Sequence, residues 1–245
     1  MKTAIAFRAI LLKDMRAYYL KPPNISWGLL FPAAWTGMFF IRSGTGFEQI
    51  PELLPGVIVL SVLFGTTSML AVTVTFEKRN RSFQRLLLAP FSFEWLLLAK
   101  TSGAILFGAA NTLVPILLAV WLADCADVQW MLVAPAILML AVVSAFMGLF
   151  IAVRVDEIFE AQTLSNFVRF PMIFLCGLFF PIAELPAVLR PLAYALPLTY
   201  GTDFLHGAVR GAHTLPMPVS FGLLTLFSLL LYAECLRSIY RRWIQ

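Results

Sequence analysis

The fold is decided by the stretch LPGVIVLSVLFGTTSMLAVTVTF, residues 54–76, and by the charged stretch EKRNRSFQR, residues 77–85, that follows it. The first stretch contains no charged side chain. At ~1.5 Å per residue, a helix of this length can cross the ~30 Å hydrocarbon core of a bilayer. The second stretch carries one acidic and four basic residues, which are costly in hydrocarbon. The sequence therefore predicts a membrane span that ends in a charged element.

The chain as a whole has the composition of a membrane protein. Of its 245 residues 60% are hydrophobic and 13% are charged, and the mean hydropathy is +0.86. A soluble domain has about 45–50% apolar and ~25% charged residues. Stretches poor in charge predict an all-α membrane protein with six transmembrane helices. These spans are residues 24–41, 54–76, 101–122, 131–153, 167–183 and 219–235.

The distribution of basic residues predicts the topology. Of 18 Lys and Arg residues, all but Arg42, Arg190 and Arg210 fall on one side of the predicted spans, the side of the two termini. Because cytoplasmic loops are enriched in Lys and Arg, both termini are expected in the cytoplasm. The net charge of +5 is then a topology signal, and no nucleic-acid partner is expected.

Two segments outside the spans are also expected to be helical. Residues 1–23 place most of their apolar side chains on one half of a helical wheel, which predicts an amphipathic helix lying on the membrane. Within residues 184–218, the stretch 192–208 is apolar enough to suggest a seventh span, but prolines and Asp203 break the segment into pieces too short to span. We expect a re-entrant helical hairpin there, on the outer side. Residues 1–245 thus form one transmembrane domain.

Several function classes fit the sequence poorly. Apart from Arg169 and Glu234 near the edges of the last two, the predicted spans contain no Asp, Glu, Lys or Arg, whereas ion-coupled carriers usually need such groups. Asn111 is the most polar of the other residues, so a carrier or channel that binds an ion there stays an alternative, as does a non-transporting scaffold. His206 and His213 do not resemble a catalytic pair or a metal site. No lysine follows a glycine, so the phosphate-binding P-loop is absent and uphill transport would need an ATPase on another chain.

Such a partner would dock on the cytoplasmic face, and residues 76–90, FEKRNRSFQRLLLAP, are the best candidate. Phe83, Leu86 and Leu87 are spaced i, i+3, i+4 beside basic residues, and Pro90 ends the segment. The pattern predicts a short, stiff amphipathic helix between the second and third spans.

The sequence resembles the membrane subunits of type-2 ABC exporters. The resemblance rests on LLPG at 53–56, on FEKR at 76–79, on FQRLLLAP at 83–90 with Lys100, and on FFP at 179–181 with LPLTY at 196–200. It implies that residues 77–85, which we call the coupling segment, contact the ATP-binding subunit. The segment departs from the family at residues 81–84, which read RSFQ where the family often has GTLE. The residues implied are Glu77, Lys78, Arg79, Asn80, Arg81, Ser82, Phe83, Gln84 and Arg85.

The resemblance also implies an assembly and a location. Two permease subunits, expected to be identical, would associate with two ATP-binding subunits in a bacterial plasma (inner) membrane, in contact with lipid. ATP and Mg would be bound by the partner, so this chain would bind no cofactor or metal and would not be an enzyme by itself. The cargo path would lie between the permeases, and its uncharged, aromatic character suits an amphipathic, lipid-linked, glycan or drug-like cargo. The predicted path residues are Phe31, Trp35, Phe39, Phe64, Thr67, Phe170, Phe174 and Phe179.

Overall fold

The computed structural model describes residues 2–22, 24–25, 30, 32–34, 37–38, 50–87, 92–178 and 181–243. These residues contain helices and no β-strand, which confirms the all-α class. The helices are α1 (Lys2–Asp14), α2 (Ile50–Arg79), α3 (Ser82–Leu87), α4 (Phe93–Asn111), α5 (Leu113–Leu122), α6 (Trp130–Arg154), α7 (Ile158–Leu175), α8 (Arg190–Tyr194), α9 (Pro197–Arg210) and α10 (Met217–Trp243).

Four helical stretches among the described residues are long and apolar enough to cross a membrane. They are Ile50–Arg79, Phe93–Leu122, Trp130–Arg154 and Met217–Arg241, and each contains one predicted span. The predicted span 24–41 lies mostly outside the described residues. The predicted span 167–183 differs from the structure, because α7 starts at Ile158 and ends at Leu175. Residues 158–166, which precede the predicted span, are therefore part of the same helix.

The helices share two ends, which their polar contacts identify. At the end that we call the charged end, Lys100 of α4 pairs with Glu77 of α2, and Arg154 of α6 lies 3.6 Å from Glu234 of α10. At the opposite end, Arg210 of α9 lies 3.0 Å from Glu52 of α2. Because α1 also contacts Glu77, the helices at both ends of the sequence meet at the charged end.

Helix α2 is the centre of the bundle. It is apolar around most of its circumference and largely buried, as expected for a helix with neighbours on several sides. Its closest approach is to α6, where a Cβ added to Gly148 would lie 2.4 Å from the carbonyl oxygen of Thr67. Only a residue without a side chain allows this backbone contact, which is typical of membrane helix packing.

The third span is interrupted in its middle. Helix α4 ends at Asn111 and α5 starts at Leu113, with Thr112 in a turn between them. Pro115 explains the break, because it has no N–H to donate to the carbonyl four residues earlier and its ring crowds that turn. The break lies against α2, where a Cβ added to Gly65 would be 2.6 Å from Asn111 Nδ2.

The segment between α7 and α10, for which the sequence predicts a re-entrant hairpin, is helical in short pieces. A 3₁₀ turn (Ile182–Glu184), α8 and α9 follow one another, and Gly211 ends α9 with a φ of 66°. One face of α9 packs on α2, α6 and α10, with Leu198, Leu205 and Ala208 buried. Protein contacts thus cover this short helix, as membrane-embedded backbone requires.

Candidate coupling site

Four charged side chains form a buried cluster at the charged end. Lys100 Nζ lies 2.8 Å from Asp14 Oδ2 and is paired with the Glu77 carboxylate. Lys13 Nζ pairs with the other oxygen of Glu77 and lies 3.0 Å from Asp14 Oδ1. The side chains of Asp14 and Glu77 are 0% exposed and that of Lys100 is 1% exposed. Two cations and two anions thus balance where α1, α2 and α4 meet.

The charges of the cluster shift the pKa values of Lys13 and of the nearby Tyr19. Burial alone lowers the pKa of Lys13, but the hydrogen bond to Glu77 and the charges of Asp14 and Glu77 outweigh it and raise the pKa above its ordinary value. Burial, together with the same two carboxylates, raises the pKa of the nearby Tyr19 well above its ordinary value. Tyr19 therefore stays neutral, and Lys13 holds its proton at physiological pH.

An apolar cluster below the charges fixes the coupling segment to the bundle. Phe83 of α3 is 2% exposed and packs with Tyr19, Leu96 and Leu97 among others. The chain reverses between α2 and α3 through Arg81, whose φ of 55° is left-handed. Because L-residues other than Asn and Asp rarely adopt this conformation, it explains the glycine that the family often has at this position.

The other side of the coupling segment is open. Arg79, Asn80, Arg81, Gln84 and Arg85 are exposed, while Ser82 and Lys78 are half-buried. The structure thus divides the nine predicted coupling residues into a basic exposed face and two anchors, Glu77 and Phe83.

Two ion pairs connect the coupling segment to the short loop between α6 and α7. Lys78 pairs with Asp156 and donates to the carbonyl oxygen of Val155, 3.3 Å away, and Arg79 pairs with Glu157. Arg79 and Glu157 are about half exposed, so their pair contributes little stability. The loop nevertheless places the start of α7 next to the coupling segment.

The predicted path residues do not form one surface in the described part of the chain. Phe31, Trp35, Phe39 and Phe179 lie outside the described residues. Thr67 is buried and donates to the carbonyl oxygen of Ser144 on α6, 3.2 Å away. Phe170 and Phe174 are 43% and 46% exposed on α7. The structure therefore leaves Phe170 and Phe174 at the surface of this chain and places Thr67 in a helix contact.

Arg169 of α7 is a residue that our sequence analysis assigned to a cytoplasmic loop. It is 2% exposed, its guanidinium donates to the Ser68 hydroxyl, and Cζ lies 4.1 Å from the centre of the Phe64 ring. The path region is therefore not free of charge, which corrects our premise. The spacing of apolar and small residues along the helix was the available signal, because Ser165, Met172 and Ile173 lie three or four residues from Arg169 on α7 and are also buried.

Two cavities lie toward the opposite end. The first, of about 240 Å³, is apolar and lies between α2, α5 and the described residues Pro32, Ala33 and Gly37. The second, of about 530 Å³, is polar and lined by Glu52, Asp203, His206, Arg210 and His213 among others.

The surroundings of His206 in the polar cavity determine its protonation and its ability to bind a metal ion. Burial, and then the positive charge of Arg210, lower the pKa of His206 below its ordinary value, while Asp203 opposes the shift. The neutral imidazole therefore predominates at neutral pH. Within the part of the chain that the structure describes, no three His, Cys, Asp or Glu side chains come close enough to hold a metal ion.

The chain is similar to known transport proteins over most of its length. Residues 5–209 match the model of the family described as "ABC-2 type transporter". The chain is 23% identical over 245 residues to the "Inner membrane transport permease YadH" of Escherichia coli (strain K12), an alignment that covers 97% of this chain and 95% of that protein. The protein of the same name from Shigella flexneri matches equally.

Proposed function

The chain belongs to the ABC-2 type transporter family, and from this we propose that it is the permease subunit of an ATP-driven exporter. The observation that carries the proposal is the coupling segment. Its exposed face is basic, and its two anchors, Glu77 and Phe83, are buried where α1, α2 and α4 meet. A force applied to such an element reaches three helices without first deforming a loop.

The energy source is proposed to be a separate ATP-binding subunit, present in two copies. The chain has no P-loop of its own, so ATP and Mg would be bound by that partner. The exposed arginines of the coupling segment, Arg79, Arg81 and Arg85, would face an acidic surface, because complementary charges orient and speed association. Closure of two ATPases would then displace the coupling segments as rigid bodies.

A second copy of the permease is proposed to pack against α7. Phe159, Phe167, Phe170 and Phe174 are all exposed in the single chain, and at 100° per residue they fall on one side of α7, away from Arg169. We take this exposed aromatic side of α7 as the surface that contacts the second permease. A homodimer would place these residues between the subunits, next to the cargo path.

Both termini are proposed to be cytoplasmic, with six spans in the inner membrane. The two cysteines Cys176 and Cys235 are buried, whereas Cys125 is only half-buried, at the end opposite the coupling segment. Burial and the charge of Asp124 raise the pKa of the Cys125 thiol, so labelling by a membrane-impermeant maleimide would be done at alkaline pH. Labelling in intact cells is expected. An Arg85→Cys variant should gain a second label only after the membrane is opened.

The direct test of the function is co-purification with an ATP-binding subunit, followed by ATP hydrolysis in vesicles. We expect Arg81→Glu combined with Arg85→Glu to prevent assembly, because it reverses the exposed charge. Glu77→Gln should allow assembly but weaken the response of ATP hydrolysis to cargo. Normal assembly of the double variant would contradict the docking assignment. Transport by the permease alone, driven by an ion gradient, would instead support the carrier alternative around Asn111, whose buried Nδ2 has no hydrogen-bond partner among the residues that the structure describes.

A further inference from the structure

The environment of Arg169 is unusual for a charged side chain. A guanidinium has five N–H donors. In the described part of the chain it donates to one acceptor, the Ser68 hydroxyl, and stacks on Phe64, while its buried Nε has no hydrogen-bond partner. No carboxylate of the described residues forms an ion pair with it, in contrast to the balanced cluster around Glu77.

The acidic residues of the neighbouring helices are too far away to neutralise Arg169. Helix α2 carries Glu52 and Glu77 near its two ends, and Glu77 is nine residues from Ser68, or about 13 Å along the helix. Glu160 on α7 is also nine residues from Arg169, at a similar separation along the helix. An ionisable side chain at this depth that lacks a partner is costly, and in membrane proteins such groups mark substrate or ion pathways.

We propose that Arg169 binds the anionic head group of an amphipathic cargo, a phosphate or a carboxylate. This deepens the proposed function and rests on it, since it names the class of cargo that the permease would move. A guanidinium matches the paired oxygens of such groups. The Phe64 ring, which lies against the guanidinium, would contact the apolar part.

The site is closed in this structure, since Arg169 is only 2% exposed. Access requires α7 to move away from α2. The start of α7 adjoins the coupling segment through the Arg79–Glu157 pair, so displacement of that segment would shift the equilibrium between closed and open forms, both of which the free permease would populate. In the closed state the Phe64 ring and the Ser68 hydroxyl take the place of the ligand.

Direct binding to the permease, without any ATPase, tests the inference. The full chain would be placed in phosphatidylcholine nanodiscs, and binding of radiolabelled n-dodecyl phosphate measured by scintillation proximity. Unlabelled dodecanoate and dodecanol would compete, the first to separate carboxylate from phosphate recognition and the second to measure apolar binding alone. We expect dodecanol to compete poorly.

Three variants then isolate the role of the guanidinium. Arg169→Met should weaken binding at least about tenfold, because it removes a charge-assisted contact. Arg169→Lys, which keeps the charge but not the paired donors, should weaken it about threefold. Arg237→Met, the matched control, removes an exposed arginine of α10 and should change binding less than about twofold, because exposed charges interact weakly at a distance.

Stability provides the second measurement. If Arg169 serves the cargo and not the fold, Arg169→Met should unfold at a temperature equal to or higher than that of the unaltered protein, since it removes a buried unpaired charge. An Arg169→Met variant that fails to fold, or that binds dodecyl phosphate normally, would overturn the proposal, as would full competition by dodecanol. Binding that depends on Arg169 in a permease that recruits no ATPase would instead leave this inference standing and refute the exporter function.

Discussion

Replacing Glu77 with glutamine tests whether the charged cluster holds the coupling segment. The cluster contains Lys13 and Lys100 on one side and Asp14 and Glu77 on the other. Glu77→Gln keeps the shape of the side chain but leaves a net positive charge at a site where Glu77 and Asp14 are fully buried. Removing one partner of a buried pair costs about 3–5 kcal/mol. Lys13 is 42% exposed and water can reach it, so we expect the low end, about 3 kcal/mol.

A second substitution separates charge balance from other effects. In Glu77→Gln combined with Lys100→Met, one cation and one anion remain, so the net charge returns to zero. The free energy lost in the double variant should therefore be smaller than the sum of the losses in the two single variants. We expect a difference of at least about 1.5 kcal/mol, which is within the usual range for groups in contact. The matched control is Glu157→Gln, which breaks a half-exposed pair on the same segment and should cost less than about 1 kcal/mol.

Reversible unfolding in mixed micelles of mild detergent and sodium dodecyl sulfate would give these free energies for the purified permease. The coupling would be read from ATP hydrolysis in the assembled complex. The reasoning is refuted if Glu77→Gln is no more destabilising than Glu157→Gln, or if the single variants add without any interaction. Either result would mean that the buried carboxylate does not depend on its lysines.

Further predictions concern packing, backbone conformation and pH. Gly148→Ala should lower the free energy of unfolding by about 1–3 kcal/mol, because the added Cβ would meet the α2 backbone. Gly222 has open space around it, so Gly222→Ala should be neutral or slightly stabilising in the same unfolding assay. Arg81→Gly should stabilise by about 1 kcal/mol by relieving a left-handed conformation, whereas Gln84→Gly, within α3, should destabilise by about as much. His206→Gln should remove the loss of unfolding temperature that occurs as pH falls below 6.5, because the lowered pKa means that the unfolded chain takes up the proton first.

The sequence predicted the features that depend on local composition. The helices α2, α6 and α10 each contain a predicted stretch free of charge, as expected because hydrocarbon excludes charged side chains over a whole helix length. Helix α1 lies within residues 1–23, whose amphipathic pattern predicts a helix on the membrane. Residues 82–87 form α3, with Phe83 buried, where the apolar spacing predicts the coupling helix.

The sequence could not predict which charges meet. The buried charges Asp14, Glu77 and Lys100 are far apart in the chain. The residues next to each of them fit an exposed loop as well as a buried ion pair, so the local sequence does not reveal the partners. Arg169 was misplaced for a related reason. Counting positive charges treats every arginine near a span as cytoplasmic, so an arginine inside a helix adds to the count without revealing its location.

The two buried charged sites next to α2, one around Glu77 and one around Arg169, differ in their charge balance and therefore suit different roles. Around Glu77 the charges balance within the chain, so the cluster is complete without a ligand and can transmit force as a fixed joint. Around Arg169, among the described residues, the charge is not balanced, so that site gains most when an external anion arrives. Because α2 is continuous from Ser68 to Glu77, a displacement of the coupling segment reaches the contact between α2 and α7 through about 13 Å of rigid helix. An anion bound at Arg169 should, by reciprocity, change the affinity of the coupling segment for its partner, and an assembly that is indifferent to dodecyl phosphate would show that the two sites are not linked.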